Sequence, residues 1–347
     1  MPQVDPGMPP CPSRRGVLTA GVGLALGSVA AMSLAACGIR LEDDAPRVPL
    51  IPTRAPIAGE AFLIALWRHS DALAERAAGV GGPATGVPAR LAGLHRRQVA
   101  VLRAELLRLG VPQKVLDDAS APAATATTGS TSAPTTRATT TATSTGTTTA
   151  GTSPVAGPKA LAAEEASDLG PTAIASLARV PGSAVPLVGS LLAQRAAAAS
   201  LLGAPATWPE PTWSAPSLAA SYLESTRAAV YAFEVVAAQS PTGPQRTLAR
   251  ATLAALQSRA SEQESLAGAS AGPAALGYPL PFAVTTPTAA RRLAARVLTD
   301  LRASVARDLG STNGDLGPLG ALVQWLADTE VLASRWGVRL SAFPGLS

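Results

Sequence analysis

The sequence predicts an all-α fold built from two four-helix bundles. Hydrophobic residues make up 47% of the 347 residues but aromatic residues only 3%, so alanine and leucine supply most of the apolar surface, and both favour helix. The β-branched and aromatic residues that strands prefer are scarce outside one threonine-rich tract. Apolar residues recur at helical spacing in two sets of four segments, which proline and glycine separate.

The first predicted bundle covers residues 57–203 and follows an extended, proline-rich tether at 37–56. Gly110 ends the second helix, and Pro112 lies just beyond it, which is a common way for a helix to end. The four helices of this bundle are expected at about 57–78, 88–109, 158–178 and 183–203.

A threonine- and alanine-rich insert, residues 119–156, interrupts the first bundle, and Arg137 is its only charged residue. Such a tract cannot bury enough apolar surface to become ordered, so we expect it to be disordered. We place it inside the bundle because two helices alone would bury too little surface. Its threonine and proline content suits O-glycosylation, and a plain flexible loop is the equal alternative.

The second predicted bundle covers residues 214–347 and is joined to the first by the proline- and tryptophan-rich segment 204–213. Trp325 and Trp336 are eleven residues apart on its last helix, about three turns, so we expect them to share a face and a core. The four helices of this bundle are expected at about 215–239, 243–270, 287–309 and 315–339.

The N-terminus carries an export signal at residues 1–36. Arg14 and Arg15 precede an apolar run and resemble the twin-arginine export signal. The run ends in Leu-Ala-Ala-Cys, which resembles the bacterial lipobox, so we expect Cys37 to be acylated and to become the first mature residue. We therefore predict a lipid-anchored protein on the outer face of the cytoplasmic membrane. The alternative is an uncleaved membrane-spanning helix of about 20 residues.

Charge and cysteine content exclude several functions. The net charge is +5, but basic residues occur in pairs such as Arg96-Arg97 and not in longer runs, so nucleic acid is not an expected partner. Cys11 would leave with the signal and Cys37 would carry lipid, which leaves no thiol for a disulfide or a nucleophile. No Ser/His/Asp set or phosphate-binding loop is recognisable.

Three stretches of the C-terminal half resemble a ferritin-like family of unknown function found in actinobacterial lipoproteins. They are Ala228 to Phe233 (AAVYAF), Gly277 to Phe282 (GYPLPF) and Ala342 to Leu346 (AFPGL). The resemblance implies a ferritin-like bundle for the second half. The first half looks like the partner domain of the same family, with weaker motifs.

A ferritin-like di-iron centre uses Glu-x-x-His motifs, and neither histidine of this chain, His69 or His95, has a glutamate three residues before it. The first bundle offers only Glu60, His95 and Glu164 as candidates for a metal site. In the second bundle, the positions where the resemblance implies metal ligands hold other residues, so no metal and no cofactor is expected. These positions are Thr226, Arg227, Gln257 and Leu298.

The predicted function is therefore that of a non-enzymatic scaffold or binding module of the cell envelope. Its expected partners are the membrane, through the lipid on Cys37, and either an envelope protein or a small apolar ligand. Two alternatives stay open at this point. One is a carrier that binds a small apolar molecule or lipid in a cleft between the bundles, and the other is a degenerate metal-binding bundle around His95.

Overall fold

The structure, a computed structural model, describes residues 54–120 and 157–347, apart from residues 209, 313 and 347. Several predicted features lie outside the described residues and stay predictions. These are the signal at 1–36 with Arg14 and Arg15, the lipid site Cys37, most of the tether, and residues 121–156 of the insert.

The all-α prediction is confirmed, because residues 54–120 and 157–347 contain helices and no strand. The helices are α1 (Glu60–Gly79), α2 (Val87–Arg108), α3 (Gln113–Ser120), α4 (Pro158–Ser167), α5 (Pro171–Leu177), α6 (Val185–Leu201), α7 (Pro216–Gln239), α8 (Pro244–Ala267), α9 (Pro287–Asp308) and α10 (Leu316–Arg335).

Two elements differ from the prediction. The single helix expected at 158–178 is divided into α4 and α5, because Gly170 adopts a φ of 117° and Pro171 follows at the first helical position, where proline starts a helix well. The short helix α3 was not predicted. It begins directly after Pro112, and its one fully buried residue is Leu116.

The described residues from Arg54 onward belong to one compact unit. Helix α1 packs on α2, α4 packs on α6, and α7 packs on α8 and α9, while α6 packs on α10. The largest apolar cluster therefore draws on both predicted bundles: it contains Leu191 of α6 and Leu322 of α10, both fully buried. This cluster contains residues from both sides of the segment 204–213, where we predicted the boundary between two domains.

A second apolar cluster fills the space between α7, α8 and α9, and Phe233 and Leu298 lie at its centre. Trp336 belongs to this cluster, in edge-to-face contact with Phe233, whereas Trp325 belongs to the larger one and stacks on Trp213. The two indoles do not share a core as predicted. Eleven residues of helix span about 16 Å, enough for the two ends of α10 to pack against different neighbours.

The C-terminal tail after α10 is folded back against the helices. Phe343 is 6% exposed and belongs to the large cluster. Gly345 has a φ of 78°, and its α-carbon approaches the backbone of Arg302 on α9 so closely that a side chain would collide with it. The tail therefore depends on glycine at this position.

Within the described residues, none of the helices combines the length and the apolar character that crossing a bilayer requires.

Candidate functional site

Buried polar side chains meet where α2, α4 and α6 pack together. His95 and Gln98 are three residues apart on α2, so they lie on the same face. Glu165 comes from α4 and Gln194 from α6. All four residues are at most 1% exposed, although buried polar groups are costly unless they are hydrogen-bonded. We call these four residues the polar network.

The hydrogen bonds fix the orientation of Gln98. Its Nε2 donates to Gln194 Oε1 at 2.8 Å and to the backbone carbonyl of Ala342 at 2.9 Å. A backbone carbonyl only accepts hydrogen bonds, so the amide nitrogen of Gln98 must face the C-terminal tail. Its Oε1 then faces His95 Nδ1 at 2.9 Å and accepts from it.

This orientation determines the charge of the histidine–glutamate pair. Because His95 Nδ1 carries a hydrogen, Nε2 of a neutral ring would be an acceptor, and it lies 2.7 Å from Glu165 Oε1. Two acceptors at this distance would repel each other, so one proton must lie between them. The pair is either imidazolium with carboxylate or neutral imidazole with carboxylic acid. Its net charge is zero in both forms, and both ring nitrogens are engaged.

Arg195 of α6 adds a buried positive charge beside the network, at 1% exposure. Its Nη2 donates to the Leu66 carbonyl at 3.1 Å and to Ser70 Oγ at 2.9 Å. Burial lowers the pKa of Arg195 to about 10, against the opposing influence of Glu165 and Asp168. The guanidinium is therefore charged at neutral pH.

Not every polar atom here has a protein partner. Nε and Nη1 of Arg195 and Oε2 of Glu165 are buried without a hydrogen bond to any described residue. Unsatisfied buried polar atoms are rare in proteins. Three such atoms lie close together in this region.

His69 of α1 extends the polar region toward the surface. Its Nδ1 lies 2.7 Å from Asp168 Oδ2, and the same carboxylate lies 3.9 Å from Arg195 Nη1. Burial, followed by the charge of Arg195, lowers the pKa of His69 from its usual 6.5, while Asp168, Glu164 and Glu165 oppose this shift. His69 is therefore neutral at pH 7 and donates its Nδ1–H to Asp168.

The three candidate metal ligands do not meet. Glu60 accepts from Arg54 at 2.6 Å and from the backbone of Ile57 at 3.0 Å, and the Arg54 guanidinium lowers its pKa. Glu164 forms an ion pair with Arg76 at 2.9 Å and is partly exposed. The described residues contain no group of three or more His, Cys, Asp or Glu side chains that could hold a metal ion.

Glu165, and not Glu164, is the partner of His95. Successive residues of a helix point about 100° apart, so a one-residue difference moves a carboxylate from the core to the surface. The sequence did contain a signal: Glu165 is four residues after the fully buried Leu161 and so shares its face.

Gln194 and Arg195 were not predicted as site residues. Helix α6 is buried around most of its circumference, so its apolar periodicity gives no distinct face for a polar residue. The signal was that these two large polar residues interrupt a helix otherwise made of apolar and small residues. Such residues must be either exposed or paired in the core.

In the C-terminal half, the four positions singled out by the resemblance do not form a site. Thr226 and Leu298 are buried, whereas Gln257 is exposed, and Arg227 pairs with Glu264 at 2.9 Å. The nearest equivalent to the polar network is Arg259, which is 6% exposed and donates to Thr329 Oγ1 at 2.7 Å.

A second ion pair anchors the tail in this half. Arg302 pairs with Glu330, which is 1% exposed and also accepts from the backbone of Ser341 at 2.7 Å. Desolvation raises the pKa of Glu330, and Arg302 opposes this shift. The tail is therefore held at Ser341 by α10 and at Ala342 by the polar network. A third bond joins the Pro344 carbonyl to Ser190 Oγ at 2.6 Å.

The His95–Glu165 pair therefore has no net charge. The polar network is buried, and its hydrogen bonds join α2, α4, α6 and the C-terminal tail. Neither ring nitrogen of His95 is open to a metal or a substrate. The arrangement can hold elements together, and it offers no reactive group at a surface.

In the comparison with known proteins, a family match covers only the C-terminal part of the chain. Residues 219–347 match the family described as "Domain of unknown function (DUF4439)". No curated protein and no solved structure matches the chain. The matched part includes α8 to α10 and the tail, whereas His95, Glu165 and Arg195 lie outside it.

Proposed function

We propose that this protein is an exported, lipid-anchored binding module of the cell envelope without enzymatic activity. In this proposal, the signal at 1–36 directs export, Cys37 carries the lipid, and residues 37–56 hold the helical unit away from the membrane. The proposed partners are the membrane and an envelope component.

One observation carries the non-enzymatic part of the proposal: the side chains best suited to chemistry are used to hold the structure together. Both nitrogens of His95 are engaged by Gln98 and Glu165, and all three residues are sealed in the core. General acid–base or metal chemistry requires such groups to reach a substrate or metal. The residues present therefore do not fit the di-iron centre that a ferritin-like fold would imply.

A ferritin-like arrangement of α7 to α10 is the finer part of the proposal. It is supported by the four long helices and by the extended connection 271–286 between α8 and α9, since a long crossover between the second and third helices is characteristic of ferritin-like bundles.

Two measurements on one preparation test this proposal. Residues 38–347, purified without chelator, should contain metal well below one ion per chain by inductively coupled plasma mass spectrometry. Near-stoichiometric iron, manganese or zinc that is lost in His95→Leu would contradict the proposal that the protein has no enzymatic activity. In cells, the full chain should fractionate with membranes and Cys37→Ala should be soluble; if both fractionate alike, the lipid anchor is wrong.

A second candidate function is that of a carrier for a small apolar ligand. It is favoured by a cleft of about 200 Å³ between α5, the segment 208–212 and α10. Ile174, Trp208 and Leu316 line it, and Leu316 is 50% exposed. A dry apolar cavity of about 150 Å³ can bind benzene, so this cleft has room for one ring or a short alkyl chain.

A further inference from the structure

The cleft between α5, the segment 208–212 and α10 is one of two cavities that lie in succession along a single face of α10. Its α10 residues include Gly317, Gly320 and Gln324. A second cavity, of about 350 Å³, is lined by Gln324, Asp328 and Arg335 of α10 together with residues of α8. Steps of three and four residues keep these positions on one face, and Gln324 borders both cavities. We call them the apolar cleft and the charged pocket.

The wall of the apolar cleft is fastened in place. The Thr212 carbonyl lies so close to Gly317 that a β-carbon there would collide with it. Ser214 donates a hydrogen bond to Asp315, and Asp315 caps α10 by accepting from Gly317 N at 3.2 Å. The cleft is thus pre-formed, as ligand sites usually are. Small residues on α10, including Gly320, leave the space that a side chain would fill.

The charged pocket holds two acidic and two basic side chains. Arg259 lies 3.7 Å from Asp328 and donates to Thr329. Glu262 and Arg335 also line the pocket, and neither has an ion-pair partner among the described residues. Arg259 therefore lies between Asp328 and Glu262 and its charge acts on both carboxylates, while Arg335 adds a second positive side chain without an ion-pair partner among the described residues.

This arrangement selects for a particular kind of head group. A ligand with a single charge would be attracted by the side chains of one sign and repelled by those of the other, whereas a zwitterion can place its negative group beside Arg335 and its positive group beside the carboxylates of Glu262 and Asp328. Partial burial raises the pKa of Glu262 and of Asp328, and the charge of Arg259 opposes both shifts.

We propose that a single-chain zwitterionic amphiphile binds along this face of α10 as a monomer. Its alkyl chain lies in the apolar cleft, its head group lies in the charged pocket, and Gln324 contacts the junction between them. From Gly320 to Arg335 the helix rises about 22 Å, comparable to a short alkyl chain with its head group. This inference rests on the carrier function proposed above and specifies its ligand.

Four probes that share an eight-carbon chain test the proposal by titration calorimetry on residues 38–347, below the concentration at which each forms micelles. They are octylphosphocholine, octanoate, octyltrimethylammonium and octyl glucoside. Octylphosphocholine should bind about tenfold more tightly than octanoate or octyltrimethylammonium, about 1.4 kcal/mol.

Two pairs of variants locate the two ends of the ligand. Gly320→Leu fills the apolar cleft and should abolish binding of all probes, whereas Gly93→Leu, at an exposed and uncrowded position of α2, should bind as the unmodified chain does. Arg335→Gln should remove the preference for octylphosphocholine over octyltrimethylammonium. Arg307→Gln, an exposed arginine of α9 outside the charged pocket, should preserve that preference.

The outcomes separate the two levels of the proposal. If the probes bind equally well and Gly320→Leu abolishes binding, the carrier function stands and the zwitterionic ligand is wrong. If no probe binds, both fall. Binding that survives Gly320→Leu, with an unchanged circular dichroism spectrum, places the ligand elsewhere and overturns the inference. So does binding to phosphatidylcholine vesicles without binding to the monomer.

Discussion

The helices before residue 204 and those after residue 214 each bury an arginine, but the two arginines have different surroundings. Arg195 lies beside a sealed polar network that joins α2, α4, α6 and the tail. Arg259 donates to a single threonine and faces Asp328, whose side chain is 55% exposed. The core around Phe233 and Leu298 is apolar.

This difference shows that the two halves are stabilised in different ways. Hydrogen bonds have directional requirements, so the N-terminal core depends on specific partners, and loss of one partner strands another in a dry environment. The apolar core of the C-terminal half depends on volume, and similar side chains can replace each other there. The family match covers the C-terminal half, and His95, Glu165 and Arg195 lie outside it.

Replacing each arginine with methionine tests the comparison most directly. Arg195→Met should lower the free energy of unfolding by about 2–3 kcal/mol, because it removes the buried hydrogen bonds of the charged guanidinium to the Leu66 carbonyl and to Ser70 Oγ. Arg259→Met should lower it by only about 1–2 kcal/mol, since Asp328 can turn to water. Urea unfolding of residues 38–347 measures both. Equal losses in the free energy of unfolding would mean that the two buried arginines contribute equally to stability, which would contradict the comparison.

Glu165 gives a test of partner specificity. Glu165→Ala leaves His95 without its partner in the core and should cost about 3–5 kcal/mol. Glu165→Gln can still donate to the His95 Nε2 of a neutral ring, so its loss should stay below about 1.5 kcal/mol. A glutamine variant as unstable as the alanine variant would show that the negative charge, and not the hydrogen bond, stabilises the network.

Leu298 gives the matching test of volume in the C-terminal half. Leu298→Ala creates a cavity and should cost about 2–5 kcal/mol. Leu298→Met conserves volume and should cost less than about 1.5 kcal/mol. The control is Leu276→Ala, at a fully exposed leucine, whose stability should match that of the unmodified chain. A large loss in Leu298→Met would mean that this core is as specific as the polar one.

The smallest expected effect is a pH dependence of opposite sign in the two halves. The pKa of His69 is lowered in the folded protein, so its contribution is present above the usual value of 6.5 and is lost as the pH falls through the folded value. The pKa of Glu330 is raised, so its contribution is present in acid and is lost as the pH rises through the folded value. Urea unfolding midpoints measured across this pH range should fall below pH 6.5 in the unmodified chain. This fall should be smaller in His69→Gln and unchanged in Glu330→Gln.

The sequence predicted the fold class and most helix positions because apolar periodicity is a local property. The helix α7, expected at about 215–239, is found at Pro216–Gln239, and α9, expected at about 287–309, is found at Pro287–Asp308. The break at Gly170 was missed because the apolar pattern continues across it. His95 was recognised as a candidate because histidine is rare in this chain, but its partner was placed one residue away.

By itself, the sequence determined that the fold is all-α, where most of the long helices lie, and which residues carry their apolar faces. The tertiary structure alone decided that α6 and α10 share one core, that Gln98 faces Ala342, and that Arg195 lies beside Glu165. The physical reason is that the helix pattern depends on neighbours three and four residues apart. The partners of a buried polar group come from distant segments, whose meeting depends on the packing of the whole unit.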